Sequence, residues 1–428
     1  MKYFIIISFI SLFIKQLSLN AQSILFEEYF TDNTLRIDFY LAGNNDTSQV
    51  FWHDLKKEDK WAGRKKYLID TVKYGGFLAE VFDSVSNTLI YSRSFSTFFE
   101  EWQTIEEAKN IHRSFEQSIL IPFPKKNIII KIFQRNRNND FIFIAERDIN
   151  PIDYFIKHDR IMNVKSPDYM INGPTENKVD LVFLADGYTY EEIGKYRKDV
   201  EKLTNKMFST SPYKDNKEKF NIRIIESVSE ESGTDIPGEN IWKNTVLNTH
   251  FYTFNSERYL TTMSNFIVRD YAAVVPYDYI YIVVNSSKYG GGGVYNHLNV
   301  VSSDNKHSPF VFIHEFGHGF AGLGDEYFSS SVSYQDYYNL NVEPVQPNVT
   351  SLINFENKWK DMIDEGTPIP TPVDPQYKNV IGVFEGAGYV SKGMYRPYLD
   401  CMMKSKTAKE FCPVCKRAIQ SAIIINCD

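Results

Sequence analysis

The 428-residue sequence predicts an all-β sandwich domain followed by an α/β (α+β) domain, and three observations carry that division. Residues 22–150 hold short apolar runs broken by Asn- and Asp-rich turns. Residues 151–177 shift to Pro, Asp, Lys and Asn, as an inter-domain linker does. From residue 178 to 428, apolar strands alternate with helical patterns, which implies a central sheet with helices packed on it.

The segment before the sandwich, residues 1–21, joins Lys2, an apolar run from Phe4 to Phe13 and the small Ala21. It reads as a secretory signal peptide cleaved before Gln22, too short and wrongly flanked to span a membrane. No cysteine stands directly after the cleavage point, and no later run approaches the ~20 apolar residues of a transmembrane helix. An exported protein, periplasmic or extracellular, is expected.

Within the sandwich, strands are expected at Leu35–Leu41, at Ser118–Ile121 (stopped by Pro122 and Pro124), at Asn127–Phe133 and at Phe141–Ala145. In the second domain Val179–Ala185 reads as a buried strand. Thr189 caps a helix from Tyr190 to Phe208, and Phe220–Ile225 and Tyr279–Val284 are further buried strands. The run Tyr289 to Gly293 is either a flexible loop or the approach to an edge strand, Val294–Ser302, able to pair with an extended peptide. A phosphate loop is disfavoured because no Gly-Lys-Ser/Thr follows.

Composition narrows the function. The formal charge of −7 and scattered basic residues argue against a nucleic-acid partner. All four cysteines, Cys401, Cys412, Cys415 and Cys427, fall at the C-terminus, and in an exported chain the simplest expectation is two disulfides. The Cys412-Pro413-Val414-Cys415 spacing also suits a redox dithiol or half of a structural zinc site. Both rank lower, because the setting of a thioredoxin-like motif and a second ligand pair are missing.

The chemistry concentrates at His314-Glu315-Phe316-Gly317-His318. Two histidines four apart on a helix share one face and can converge on one metal, with Glu315 beside them as general base. With eight histidines in 428 residues, a chance HExxH is an event on the order of one in a hundred. A catalytic zinc needs a third protein ligand. Gly322 can end the helix in a left-handed turn that folds Asp325 back to the metal, and Glu326 is the alternative. Metzincin-type proteases carry their glycine and third ligand one position earlier, and a methionine turn beneath the metal, for which Cys401-Met402-Met403 is the candidate here.

The HEFGHGFAGLGDEY segment, together with YGGGG (289–293), LADGYT (184–189), FEGAGY (384–389), YRP (395–397), CMM (401–403) and FCPVC (411–415), resembles the IgA-peptidase family of zinc metallopeptidases. The resemblance implies a metzincin-like zinc protease domain and carries over His314, Glu315 and His318, and Asp325 as third ligand. It implies a zinc endopeptidase acting on a protein or peptide, with the substrate left open. Tyr327, Tyr389 and Tyr395 are candidates to stabilise the oxyanion. The competing readings are a non-catalytic exported surface-binding protein and a thiol-disulfide enzyme using Cys412 and Cys415.

Overall fold

The computed structural model describes residues 24–158, 162–328 and 337–427, so the expected signal peptide lies outside the described residues. After a short helix α1 (Phe26–Tyr29), the chain forms strands β1 (Phe30–Gly43), β2 (Ser48–Glu58), β3 (Phe77–Asp83) and β4 (Leu89–Phe95). Helix α2 (Phe98–Gln103) then precedes β5 (Arg113–Pro124), β6 (Ile128–Arg135) and β7 (Phe141–Ile149). With β8 (Lys157–His158) these make two four-stranded sheets, ordered β5-β1-β2-β8 and β4-β3-β6-β7. The N-terminal part is thus a β domain, as expected.

Pro122 lies within β5 and Pro124 is its last residue, and both pair with β1. Proline is tolerated there because β5 is the sheet's edge, where one side of the strand has no ladder to complete.

The second sheet system is built on β10 (Val179–Asp186), β11 (Phe220–Ile225), β12 (Tyr279–Val284) and β14 (Leu298–Ser302), all parallel. Two antiparallel strands flank them, β9 (Asp168–Met170) beside β11 and β13 (Gly291–Val294) beside β14. The order is β13-β14-β12-β10-β11-β9. Parallel strands covered on both faces read as continuous apolar runs, which is why VDLVFLA and YIYIVV were legible as buried.

Successive residues of these strands serve different cores. Leu181, Phe183, Tyr281 and Val283 face helices α3 (Ile193–Met207), α5 (Ser308–Ala321) and α6 (Pro413–Cys427). Val182, Leu184, Ile280 and Ile282 join a cluster that continues through helix α4 (Asn265–Ala272) into the β domain. The expected linker therefore does not separate two independent cores. Arg36 and Asp38, on the face of β1 opposite Leu35, Ile37 and Phe39, are buried too, because α4 covers them and Asp270 of that helix pairs with Arg36. This explains why polar and apolar positions alternate from Thr34 to Phe39 while all six are buried.

Thr189 does cap the following helical segment. Its side chain and Glu192 form a reciprocal capping box at a short 3₁₀ turn, Tyr190–Glu192, that runs into α3.

Glu100, on α2, has one carboxylate oxygen buried without a hydrogen-bond partner, and burial together with Glu101 pushes its pKa up to about 8. The folded state then holds this proton more tightly than the unfolded chain, whose ordinary value is 4.5. Stability is accordingly lost as pH rises from about 4.5 through about 8. Glu100→Gln is expected to raise the melting temperature at pH 9 and to change it little at pH 5. An equal effect at both would contradict this account.

Candidate active site

Helix α5 carries the two histidines because its other face is strongly apolar. Phe312, Ile313, Phe316 and Phe320 are buried against the sheet and α3, each contributing roughly 1.5–3 kcal/mol as an upper bound. Phe312 packs its ring against Phe183 and Tyr281, and its carbonyl accepts a hydrogen bond from the Tyr281 hydroxyl at 2.8 Å. This fixes the rotation of the helix and turns His314, Glu315 and His318 toward a cleft of about 410 Å³.

The helix stops at Gly322, whose φ of 62° is left-handed, as the sequence led one to expect. A side chain there would also strike Tyr74, 2.9 Å from the Cβ position. The turn brings the Leu323 carbonyl to 2.6 Å from Nδ1 of His318, while the Met402 carbonyl lies 2.9 Å from Nδ1 of His314. It then carries Asp325 Oδ1 to 3.1 Å from Nε2 of His314 and 3.3 Å from Nε2 of His318. The two Nε2 atoms are 3.2 Å apart.

That convergence has a clear electrostatic meaning. A carbonyl only accepts, so each Nδ1 carries the proton, and in a neutral imidazole Nε2 is left as a lone pair. Two lone pairs and a buried carboxylate oxygen then face one point, an arrangement that needs a positive charge between them. In the protein alone a proton serves: burial depresses His318, but Asp325 outweighs it and raises the imidazole to about 9. Burial likewise opposes ionisation of Asp325, and the two histidines overcome it and hold the carboxyl well below its usual range. A divalent cation would meet the same demand with three ligands.

Glu326, the alternative third ligand, points elsewhere. Its side chain is fully buried among Cys401, Cys412 and Cys415, with Asn348 donating to Oε1 at 3.0 Å. Adjacent residues of an extended segment face opposite ways, so one chain passage serves both clusters. Tyr389, in the turn between β15 (Phe384–Ala387) and β16 (Val390–Arg396), donates to Asp325 Oδ2 at 2.6 Å. Tyr327 and Tyr389 line the cleft; Tyr395 is not among its lining residues.

Gly291–Gly293 of the glycine run are strand, with Tyr289 and Gly290 leading into it. The edge strand is Gly291–Val294 itself, not the expected Val294–Ser302, whose second half is the inner strand β14. A Cβ at Gly293 would fall 2.2 Å from the Glu315 carbonyl oxygen, so only glycine lets β13 lie against α5. Part of the edge is already used, because Gly291 bridges to Tyr259. Met403 packs its sulfur against Gly317, 2.9 Å from where a Cβ would stand, so the CMM segment lies against α5.

Sequence reasoning missed Arg258, which lines the cleft and donates to the Tyr327 hydroxyl at 3.2 Å. It missed the Leu323 and Met402 carbonyls as well, since backbone acceptors leave no signal in side-chain pattern. The two expected disulfides do not form. Cys401 and Cys415 have their sulfurs 3.8 Å apart, well beyond a ~2.0 Å S–S bond, and none of the four buried cysteines is joined in a disulfide. Cys412 and Cys415, 3% and 0% exposed, also offer no surface for thiol-disulfide exchange.

A helical His-x₃-His pair, an intervening glutamate and a convergent aspartate at the floor of an open cleft define a metallopeptidase. Comparison with family models agrees: the IgA Peptidase M64 model matches residues 169–378 and 373–423, and the Peptidase M64 N-terminus model matches residues 25–145. The chain belongs to the IgA peptidase M64 family. A search of curated proteins finds no match. Among the described residues, no helix is long and apolar enough to cross a membrane.

Proposed function

We propose that the protein is an exported zinc endopeptidase with a metzincin-like catalytic domain, in which His314, His318 and Asp325 hold the metal and Glu315 is the general base. The observation that carries the reading is the convergence of two imidazole nitrogens and one carboxylate oxygen beside the cleft-lining Glu315. Two nitrogens and one oxygen leave a tetrahedral zinc one open position, as a hydrolytic site requires. Export rests on the apolar run Phe4–Phe13 and Ala21.

When bound, zinc supplies Lewis acidity, polarising a peptide carbonyl and acidifying water at its side. Glu315 handles the proton. Burial raises its carboxyl pKa against the pull of the two histidines, which makes it a stronger base toward the proton of the attacking water. The same carboxyl returns that proton to the departing amine nitrogen, closing the cycle. Tyr389 orients Asp325 through its 2.6 Å hydrogen bond. Tyr327, with Arg258 donating to its hydroxyl, stands in the cleft as a group able to steady developing negative charge on the carbonyl oxygen. The glycine-lined wall of β13 admits a substrate backbone without side-chain obstruction.

The test is incubation of the purified protein with a mixed peptide library. Cleavage at internal bonds, lost with a chelator and restored by zinc, is expected. Cleavage that survives exhaustive chelation, or none by the zinc-loaded protein, would defeat the proposal. A binding protein without catalysis is the poorer reading, because a scaffold has no use for Glu315 in the cleft beside two convergent imidazoles.

A further inference from the structure

We propose that Glu326, Cys401, Cys412 and Cys415 form a second, structural metal site for a thiophilic divalent cation, zinc by preference. One ligand atom from each of the four lies within 4.8 Å of the others, and all four residues are buried. Cys415 Sγ is 3.1 Å and Cys412 Sγ 4.0 Å from Glu326 Oε1, and Cys401 Sγ is 3.8 Å from Cys415 Sγ. A tetrahedral ion with ~2.3 Å bonds to sulfur sets its ligands ~3.8 Å apart, which these separations approach.

Three features favour a cation over a disulfide. An odd thiol would remain after any two of the three paired. Glu326, 0% exposed, keeps its Oε2 buried with no hydrogen-bond partner, and a disulfide would leave this oxygen unsatisfied. The backbone already favours thiolates: Cys412 N–H donates to Cys401 Sγ at 3.2 Å, and Cys415 N–H to Cys412 Sγ at 3.5 Å. Cys412 and Cys415 also sit at the start of α6, where the helix dipole favours negative charge.

The position suggests what the site is for. Glu326 follows Asp325, and its N–H donates to the Met403 carbonyl at 2.9 Å. Cys401 precedes Met402, whose carbonyl holds His314. A metal clamping Glu326 to Cys401 therefore ties together the two segments that complete the cleft. The second ligand pair absent from the sequence pattern is thus supplied by residues 11 or more positions away.

The inference is independent of the catalytic reading. Full-length protein purified without reductant should hold two zinc ions, and His318→Ala should keep one. Loading with cobalt should give a thiolate-to-metal charge-transfer band that survives in His318→Ala and is lost in Cys415→Ser and Glu326→Gln. After denaturation in chelator without reductant, four thiols should titrate. Loss of all metal in His318→Ala, or titration showing a disulfide among Cys401, Cys412 and Cys415, would overturn the proposal. Wild-type and His318→Ala proteins alone separate these outcomes, so misfolding of the cysteine variants does not shield the second site from refutation.

Discussion

Glu315→Gln is expected to cut kcat/KM by at least ~10²–10⁴-fold while zinc content at the histidine pair stays as in wild type. Glutamine fills the same volume, so β13, which touches the Glu315 carbonyl through Gly293, has no reason to move. What disappears is the one carboxylate beside the histidines that can accept and return a proton, and the amide can do neither. Steady-state hydrolysis of a cleaved library peptide, with metal analysis on the same sample, measures both halves. Near wild-type turnover would remove Glu315 from the mechanism, and loss of metal would make it a ligand instead.

Asp325→Ala is expected to lower zinc affinity at the histidine pair by several orders of magnitude and to abolish peptidase activity with it. Removing the carboxylate leaves two protein ligands and also removes the hydrogen bond from Tyr389 to Asp325. Tyr389→Phe separates these effects: it keeps the aspartate and loses only its orienting hydrogen bond, a change that typically costs 10–100-fold in metal affinity or activity. Zinc retained after dialysis in Asp325→Ala, and visible at the histidines, would reject the assignment. Cobalt distinguishes the sites, since Asp325→Ala should preserve the thiolate band proposed for the Glu326 cluster, whereas Glu326→Ala should lose it and leave the histidines able to bind.

The sequence alone determined the features that depend on short-range pattern. HExxH needs only helical periodicity to put two imidazoles on one face, and Gly322 ends that helix because a left-handed residue is required there. The buried parallel strands at 220–225 and 279–284 were legible to the residue because both their faces are covered. Tertiary structure decided everything set by convergence of distant segments. Asp325 and Glu326 are neighbours with the same chemistry, and only the path of the chain between α5 and the 401–403 turn sends one to the histidines and the other to the cysteines. The cysteines looked like disulfide partners because the acid that joins them lies 75 or more positions upstream, where no spacing rule reaches. The glycine run was ambiguous for the same reason: glycine permits a loop or a tightly packed edge strand equally, and the contact between β13 and α5 selects the strand.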